Sequence, residues 1–231
     1  MKTIIAIGGG EIKLKETLEI DRYLAELAKK KAGDRRANAL FISTASHDKM
    51  PYFNSFRKTY TGVFDIKADV ALMCYGEMSP EKVAGKIEAA DMIYVGGGDT
   101  VFMLNKWKEW GIEKLLYKAY ENGTIICGLS AGAICWFEKM YSDSSAANKG
   151  SESDYNVYEG LGWLKGNICP HYNHRAEDFD KIVLNKLNTA YALEDNSAVI
   201  FEDGLLTKSI SSGGKAYLLE NESGILKKTE I

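Results

Sequence analysis

The sequence predicts an α/β fold: a three-layer sandwich with a mostly parallel sheet, helices on both faces and a C-terminal antiparallel extension. Three observations carry this. Strand and helix signals alternate from residue 3 to residue 127. The strand segments are near-continuous apolar runs, as expected of strands covered on both faces by helices. Several of those strands end in glycine-rich or small-residue turns, at the sheet edge where such folds gather functional groups.

Each element has its own signal. Thr3–Ile7 reads as a strand running into Gly8-Gly9-Gly10. Residues 16–31 form an amphipathic helix with Ile20, Tyr23, Leu24, Leu27 and Ala28 on one face. Residues 37–42 are a second strand ending in Ser43-Thr44-Ala45-Ser46, residues 52–60 a helix, and residues 69–75 a third strand. Residues 79–90 are helical, with Ser79 as the cap and Pro80 at the first helical position. Residues 91–95 are a fourth strand ending in Gly96-Gly97-Gly98, and residues 100–122 are helical with a break near Gly111. Residues 124–127 are the fifth strand. Beyond Pro170 a helix over 176–187 precedes short strands near 198–202 and 216–220, with Asp203-Gly204 and Gly213-Gly214 as hairpin turns.

The chain of 231 residues has no linker-like run, repeat or low-complexity tract, so one domain over 1–231 is expected. A net charge of -3 argues against a general nucleic-acid binder, which needs a basic stripe to neutralise phosphates. The longest basic cluster, Lys29-Lys30-Lys31 with Arg35-Arg36, suits the C-terminal end of a helix. The first apolar run is too short for a signal peptide and no segment reaches membrane-spanning length. The expectation is a cytoplasmic protein without a membrane partner. Cys74, Cys127, Cys135 and Cys169 form no C-x-x-C pair, so they read as buried thiols. No metal-ligand cluster stands out, and no cofactor is expected. Gly8-Gly9-Gly10 departs from G-x-G-x-x-G, because Lys13 stands where the third glycine should be. Trp107, Trp110 and Trp136 fit either a core or an interface, leaving monomer and homodimer open.

Residues 124–137 read Thr-Ile-Ile-Cys-Gly-Leu-Ser-Ala-Gly-Ala-Ile-Cys-Trp-Phe. This is a short apolar strand, a sharp turn at Ser130 and the start of what looks like a buried helix over 131–137. Ser130 lies between Gly128 and Gly132 in the G-x-S-x-G pattern of a nucleophile elbow. The elbow lifts a hydroxyl clear of the sheet at a helix start, where backbone N–H groups can hold an oxyanion. A serine capping a helix after a strand has the same local look, so the base must decide. The chain has three histidines: His47, His171 and His174. None lies beyond His174, so a triad here cannot follow the Ser…acid…His order of α/β-hydrolases. His171, stiffened by Pro170 after an apolar approach, is the strongest base candidate. His174 looks more exposed, and His47 could contact substrate. For the acid, Glu194 closes an apolar stretch, with Asp195 its immediate rival and Asp143 a second.

Three segments in order resemble the peptidase E family of serine peptidases, which includes aspartyl dipeptidase and, more distantly, cyanophycinase. They are Tyr94-Val-Gly-Gly-Gly-Asp-Thr100, Gly128-Leu-Ser-Ala-Gly-Ala133 and Cys169-Pro-His-Tyr172. The resemblance spans nearly the whole chain. It implies a fold related to class I glutamine amidotransferases and a Ser-His-Glu triad of Ser130, His171 and Glu194. It also implies an oxyanion hole from Gly98 (or Gly97) and Ala131. Two departures bear on substrate choice. The family turn commonly carries asparagine where Asp99 stands, turning a donor into an acceptor near the substrate. The spacing from His171 to Glu194 is shorter than in aspartyl dipeptidase. The loop trimmed there carries the arginine that selects an N-terminal aspartate, and Arg175 is its candidate counterpart.

The expected activity is therefore serine-type hydrolysis of a small peptide, including dipeptides, through an acyl-enzyme. Esterase or amidase action on other substrates, and a non-catalytic small-molecule binder on the same scaffold, are the rival readings. Glutamine amidotransferase chemistry is disfavoured because it uses a cysteine where Ser130 stands.

Overall fold

The structure is a computed structural model that describes residues 1–76, 78–143 and 155–231. Its first half follows the alternating pattern. Strands β1 (Thr3–Ile7), β2 (Asn38–Ile42), β3 (Lys67–Ala71), β4 (Met92–Val95) and β5 (Ile125–Leu129) alternate with helices α1 (Leu18–Ala32), α2 (Met50–Tyr60), α3 (Pro80–Glu88), α4 (Thr100–Trp110) and α5 (Ile112–Glu121). The second half is richer in strands. A one-turn helix α6 (Ala131–Ile134) precedes β6 (Phe137–Ser142), β7 (Asn156–Glu159) and β8 (Leu164–Cys169). Helix α7 (Tyr172–Ile182), extended by a π-helical turn over Val183–Leu187, leads to β9 (Thr189–Leu193), β10 (Ser197–Glu202), β11 (Leu205–Ser211), β12 (Ala216–Glu222) and β13 (Ile225–Glu230).

These strands form two sheets. The first has the order β11-β10-β1-β5-β4-β2-β3 and the second β13-β12-β9-β8-β6-β7. In the first sheet β1, β5, β4, β2 and β3 run parallel, while β10 and β11 extend it antiparallel beside β1. The second sheet is mixed: β6, β8 and β9 run parallel, whereas β7, β12 and β13 pair antiparallel.

The inner parallel strands β1, β2, β4 and β5 are covered on both faces, as their composition requires. Along β1, Ile4 and Ala6 join one apolar cluster while Ile5 and Ile7 join another. The cluster on the second face takes Ile20 and Leu24 from α1 and Phe53, Phe56 and Tyr60 from α2. The cluster on the first face takes Val83, Met103, Trp107 and Leu116 from α3 to α5, and continues into Phe137, Met140, Leu164 and Ile168 of the second sheet. Trp107 and Trp136 are fully buried within it, and Trp110 packs against it. Helix ends follow local chemistry. Ser79 caps α3 by accepting from the Lys82 N–H at 3.3 Å, with Pro80 in the first turn. Gly111, at φ 66°, ends α4 and opens α5, which is the expected break.

Four expectations need correction. The apolar run over 131–137 is one helical turn and then a strand, because Phe137 already pairs with Leu164. The third strand ends at Ala71, where Asp48 takes the Met73 and Cys74 N–H groups instead. The helix expected over 176–187 begins at Tyr172 and turns π-helical from Val183. Asp203-Gly204 does turn the β10–β11 hairpin, but Gly213-Gly214 carries the chain from the first sheet to the second. The C-terminal strands are therefore divided between two sheets.

Among the described residues no helix is long and apolar enough to cross a membrane. No group of three or more His, Cys, Asp and Glu among them could hold a metal ion. Cys127, Cys135 and Cys169 are buried, Cys74 is half-buried, and all four thiols are free.

Candidate active site

Ser130 follows β5, a central strand flanked by β1 and β4. Its backbone lies at φ 54° and ψ -111°, a conformation that costs an L-residue on the order of 1–3 kcal/mol and persists only where the surroundings enforce it. The enforcing contacts are present. The Ser130 N–H donates to the Ile7 carbonyl at 2.9 Å, and the N–H groups of Ala133 and Ile134 donate to the Ser130 carbonyl at 2.9 and 3.0 Å. The flanking glycines have a steric cause. A Cβ at Gly128 would overlap the Gly132 carbonyl, and one at Gly132 would overlap the Val95 carbonyl. Helix α6 can start back across β5 and β4 only because both side chains are absent.

His171 arrives from the second sheet. After β8 and Pro170 it sits at φ 52°, and its N–H donates to the Gly8 carbonyl at the end of β1, 3.0 Å away. This contact ties the end of β8 to the end of β1. His171 Nε2 lies 2.8 Å from Ser130 Oγ, and Nδ1 lies 2.5 Å from Asp195 Oδ1. Asp195 follows β9. Its Oδ2 is met by Asn173 Nδ2 at 3.2 Å and His174 Nε2 at 3.0 Å, while its N–H donates to Asn173 Oδ1 at 3.0 Å.

The carboxylate on the imidazole is thus Asp195 rather than Glu194. The backbone N–H of Glu194 continues the ladder to β12 by donating to the Lys215 carbonyl at 3.0 Å. Glu194 and Asp195 lie at the turn that follows β9, and their side chains go to different partners. Glu194 turns toward β12, accepting from the Lys215 N–H at 3.0 Å and the Tyr217 hydroxyl at 3.4 Å. Asp143 approaches Arg175 and does not reach His171.

Burial pushes the His171 imidazole below its ordinary value of 6.5, against the pull of Asp195, and the nearby charges of Arg175 and His174 add to the depression. For Asp195, burial pushes upward. The charge and hydrogen bond of His171, with help from Asn173 and His174, outweigh it and hold the carboxyl below its ordinary 3.8. At neutral pH the pair is therefore a neutral imidazole on an ionised carboxylate. An ionised Asp195 can only accept, so Nδ1 carries the proton and Nε2 is left to accept from the serine.

The triple glycine after β1 has its explanation here. A Cβ at Gly9 would overlap both the Asp195 carboxylate and the His171 ring, and the Gly9 carbonyl accepts from the Asn196 N–H at 3.0 Å. The run is a cradle for the imidazole and its partner. The excess of glycine was visible in the sequence, but its partners come from the far end of the chain.

An open cavity of about 460 Å³ adjoins the hydroxyl, lined by Ser130, His171, Gly97, Gly98, Tyr52 and Lys49, among others. The Gly97 N–H donates to the Tyr52 hydroxyl at 3.2 Å, and burial pushes that phenol up to about 12, so it stays protonated. The N–H groups of Gly98 and Ala131 meet no acceptor among the described residues. Gly98 sits at φ 139°, and a Cβ there would overlap the Ala45 carbonyl.

Three expected substrate contacts lie elsewhere. Asp99 caps α4 by accepting from the Phe102 N–H at 2.9 Å. His47 is exposed, its ring 4.1 Å from that of Phe102. Arg175 is held 4.5 Å over the Tyr155 ring, with the Tyr141 carbonyl 3.5 Å away. None of the three lines the cavity. Tyr52 and Lys49 do, and no sequence pattern singled them out.

The model of peptidase family S51 matches residues 4–208. An uncharacterized peptidase of Bacillus subtilis (strain 168), YgaJ, is 35% identical over 224 residues, covering 94% of this chain and 91% of its own length. Two solved structures share the fold. One is a protein of Listeria monocytogenes EGD-e provisionally assigned to peptidase E, with a TM-score of 0.65 and 19% identity over 91% of this chain and 98% of its own. The other is a peptidase from an acI-B1 Actinobacterium, with a TM-score of 0.68 and 16% identity over 100% of this chain and 94% of its own.

Proposed function

The chain belongs to peptidase family S51, and from that membership we propose that it is a serine peptidase that cleaves short peptides through an acyl-enzyme. The observation that carries the reading is the contact of Ser130 Oγ with His171 Nε2 at 2.8 Å, backed by Asp195 on the other ring nitrogen. Neutral His171 takes the serine proton as Oγ attacks the scissile carbonyl. Asp195 holds the tautomer and stabilises the imidazolium that forms. The developing oxyanion lies against the N–H groups of Gly98 and Ala131, which have no other acceptor among the described residues. Gly97 shapes the wall instead, since its N–H is engaged by Tyr52. His171 then protonates the leaving amine, and water repeats the sequence on the acyl-enzyme.

Replacement of Ser130 tests the reading directly. Ser130→Ala should lose peptide hydrolysis and fluorophosphonate labelling together, with the far-ultraviolet circular dichroism unchanged. Peptide turnover that survives in this variant excludes Ser130 as nucleophile. Labelling of the wild type without cleavage of any peptide in a diverse panel points instead to ester or non-peptide amide substrates.

A further inference from the structure

A second cavity, of about 750 Å³, shares Lys13, Pro51 and Ser55 with the cavity at Ser130. Its wall also carries Lys15 and Lys58 and holds no carboxylate. Glu11 is the one acidic residue lining either cavity among the described residues; it lies on the serine side, where it accepts from the Lys13 N–H at 3.2 Å. Lys13, Lys15, Lys49 and Lys58 make no ion pair and no side-chain hydrogen bond among the described residues. Lys2, Lys86, Lys165, Lys215 and Lys227 are paired with carboxylates, whereas other lysines away from the groove, such as Lys108, Lys139 and Lys186, are not paired among the described residues. What sets Lys13, Lys15, Lys49 and Lys58 apart is their place: four ammonium groups line one depression that begins at the candidate nucleophile. Walls of one sign around a concave surface focus a positive potential and concentrate anions.

The depression also has length. Pro51, Ser55 and Lys58 follow one another at the spacing of one helical face of α2. From Pro51, beside the catalytic cavity, to Lys58 the helix rises about 10 Å, which an extended peptide covers in about three residues. A dipeptide held at Ser130 would not use this surface.

Building on the peptidase reading above, we infer that the substrates are acidic peptides longer than a dipeptide, with Asp or Glu side chains lying along the lysine-lined groove between residues 12–15 and α2. The carboxylates recognised there lie away from the scissile bond, and exposed ion pairs with lysine set their contribution. That contribution appears in KM and weakens with salt.

The test uses acetylated and amidated peptides, so that only side chains carry charge. Acidic, neutral and basic peptides of equal length are compared in two assays: binding to Ser130→Ala by fluorescence anisotropy, and cleavage by the active enzyme. The acidic series should bind roughly tenfold more tightly than the basic series at low salt and lose most of that advantage at high salt. Introducing Lys15→Glu and Lys58→Glu together into the Ser130→Ala protein should abolish or reverse the preference, with thermal unfolding confirming that the variant is folded. Equal binding across the three series, or a preference that survives the double substitution, overturns the inference. Cleavage reports separately on the parent reading. Selective binding with no cleavage of any peptide leaves the groove standing and removes the peptidase assignment.

Discussion

At the scale of single residues, the assignment of the acid is the sharpest claim, because two adjacent carboxylates compete for it. Asp195 meets His171 Nδ1, whereas Glu194 is engaged by the Lys215 N–H and Tyr217. In Asp195→Asn the amide could present an N–H to Nδ1 and favour the wrong tautomer. The expected loss in kcat is on the order of 10³–10⁴. Glu194→Gln keeps an acceptor for the Lys215 N–H and should stay within a few-fold of wild type. Steady-state kinetics on one cleaved peptide ranks the two, and the reverse ranking would restore Glu194 to the role. Ser130 and His171 were candidates from the sequence because each sits in a local pattern, an elbow and a proline-stiffened strand end, and the two occur in the order of the resembling segments. The choice between 194 and 195 was not legible there. It depends on where the turn after β9 directs each side chain, and on the Lys215 N–H and the Tyr217 hydroxyl, more than twenty residues further on, which engage Glu194.

At the scale of elements, the ends of β1, β5, β8 and β9 meet, and glycine is what lets them meet. The centre of the first sheet was legible because β1, β2, β4 and β5 are almost wholly apolar and bounded by turns, whereas its edge strands β3 and β11 mix in polar residues. The second sheet was not legible, for a physical reason: β7 (Asn-Val-Tyr-Glu), β8 (Leu-Lys-Gly-Asn-Ile-Cys) and β13 (Ile-Leu-Lys-Lys-Thr-Glu) mix polar and apolar residues over short lengths. Strand β6 follows α6 so closely that one apolar run hides the change of period. Gly8-Gly9-Gly10 was visible as a motif, but its use was hidden, since the His171 and Asp195 loops reach it only in the folded chain. This gives a discriminating variant. In Gly9→Ala the new methyl would overlap the Asp195 carboxylate and the His171 ring, so the imidazole must shift. A displacement of about 1 Å at reacting groups can cost on the order of 10² in rate. The expected result is at least that loss in kcat with only a small change in melting temperature. A Gly9→Ala enzyme with wild-type turnover would show that the cradle does not position the ring.

At the scale of the whole molecule, the two-sided first sheet places in its interior an ionisable group with no cationic partner among the described residues. Asp21 on α1 is fully buried, on the face of the sheet packed by α1 and α2. It accepts from the Tyr60 hydroxyl at 2.8 Å and the Thr17 hydroxyl at 2.8 Å. Burial pushes its carboxyl from 3.8 up to about 6, and these two hydrogen bonds recover only part of the shift. For an acid, a folded value above the unfolded one means that the native state holds the proton more tightly. Stability from this group is fully present below about pH 4, falls as pH rises toward 6 while the unfolded chain alone releases its proton, and is constant beyond. A shift of about two units corresponds to a change on the order of 3 kcal/mol. Carboxyls depressed in the fold, such as Asp69 and Asp195, act in the opposite sense and mask this trend in the wild type. The comparison with Asp21→Asn cancels them, because they titrate alike in both proteins. Urea unfolding of the two proteins from pH 4 to pH 7 should show the difference in unfolding free energy moving steadily in favour of the variant, with the change complete just above pH 6. A difference independent of pH would mean that Asp21 ionises in the fold as readily as in the unfolded chain, and that the interior beneath α1 is wetter than its burial implies.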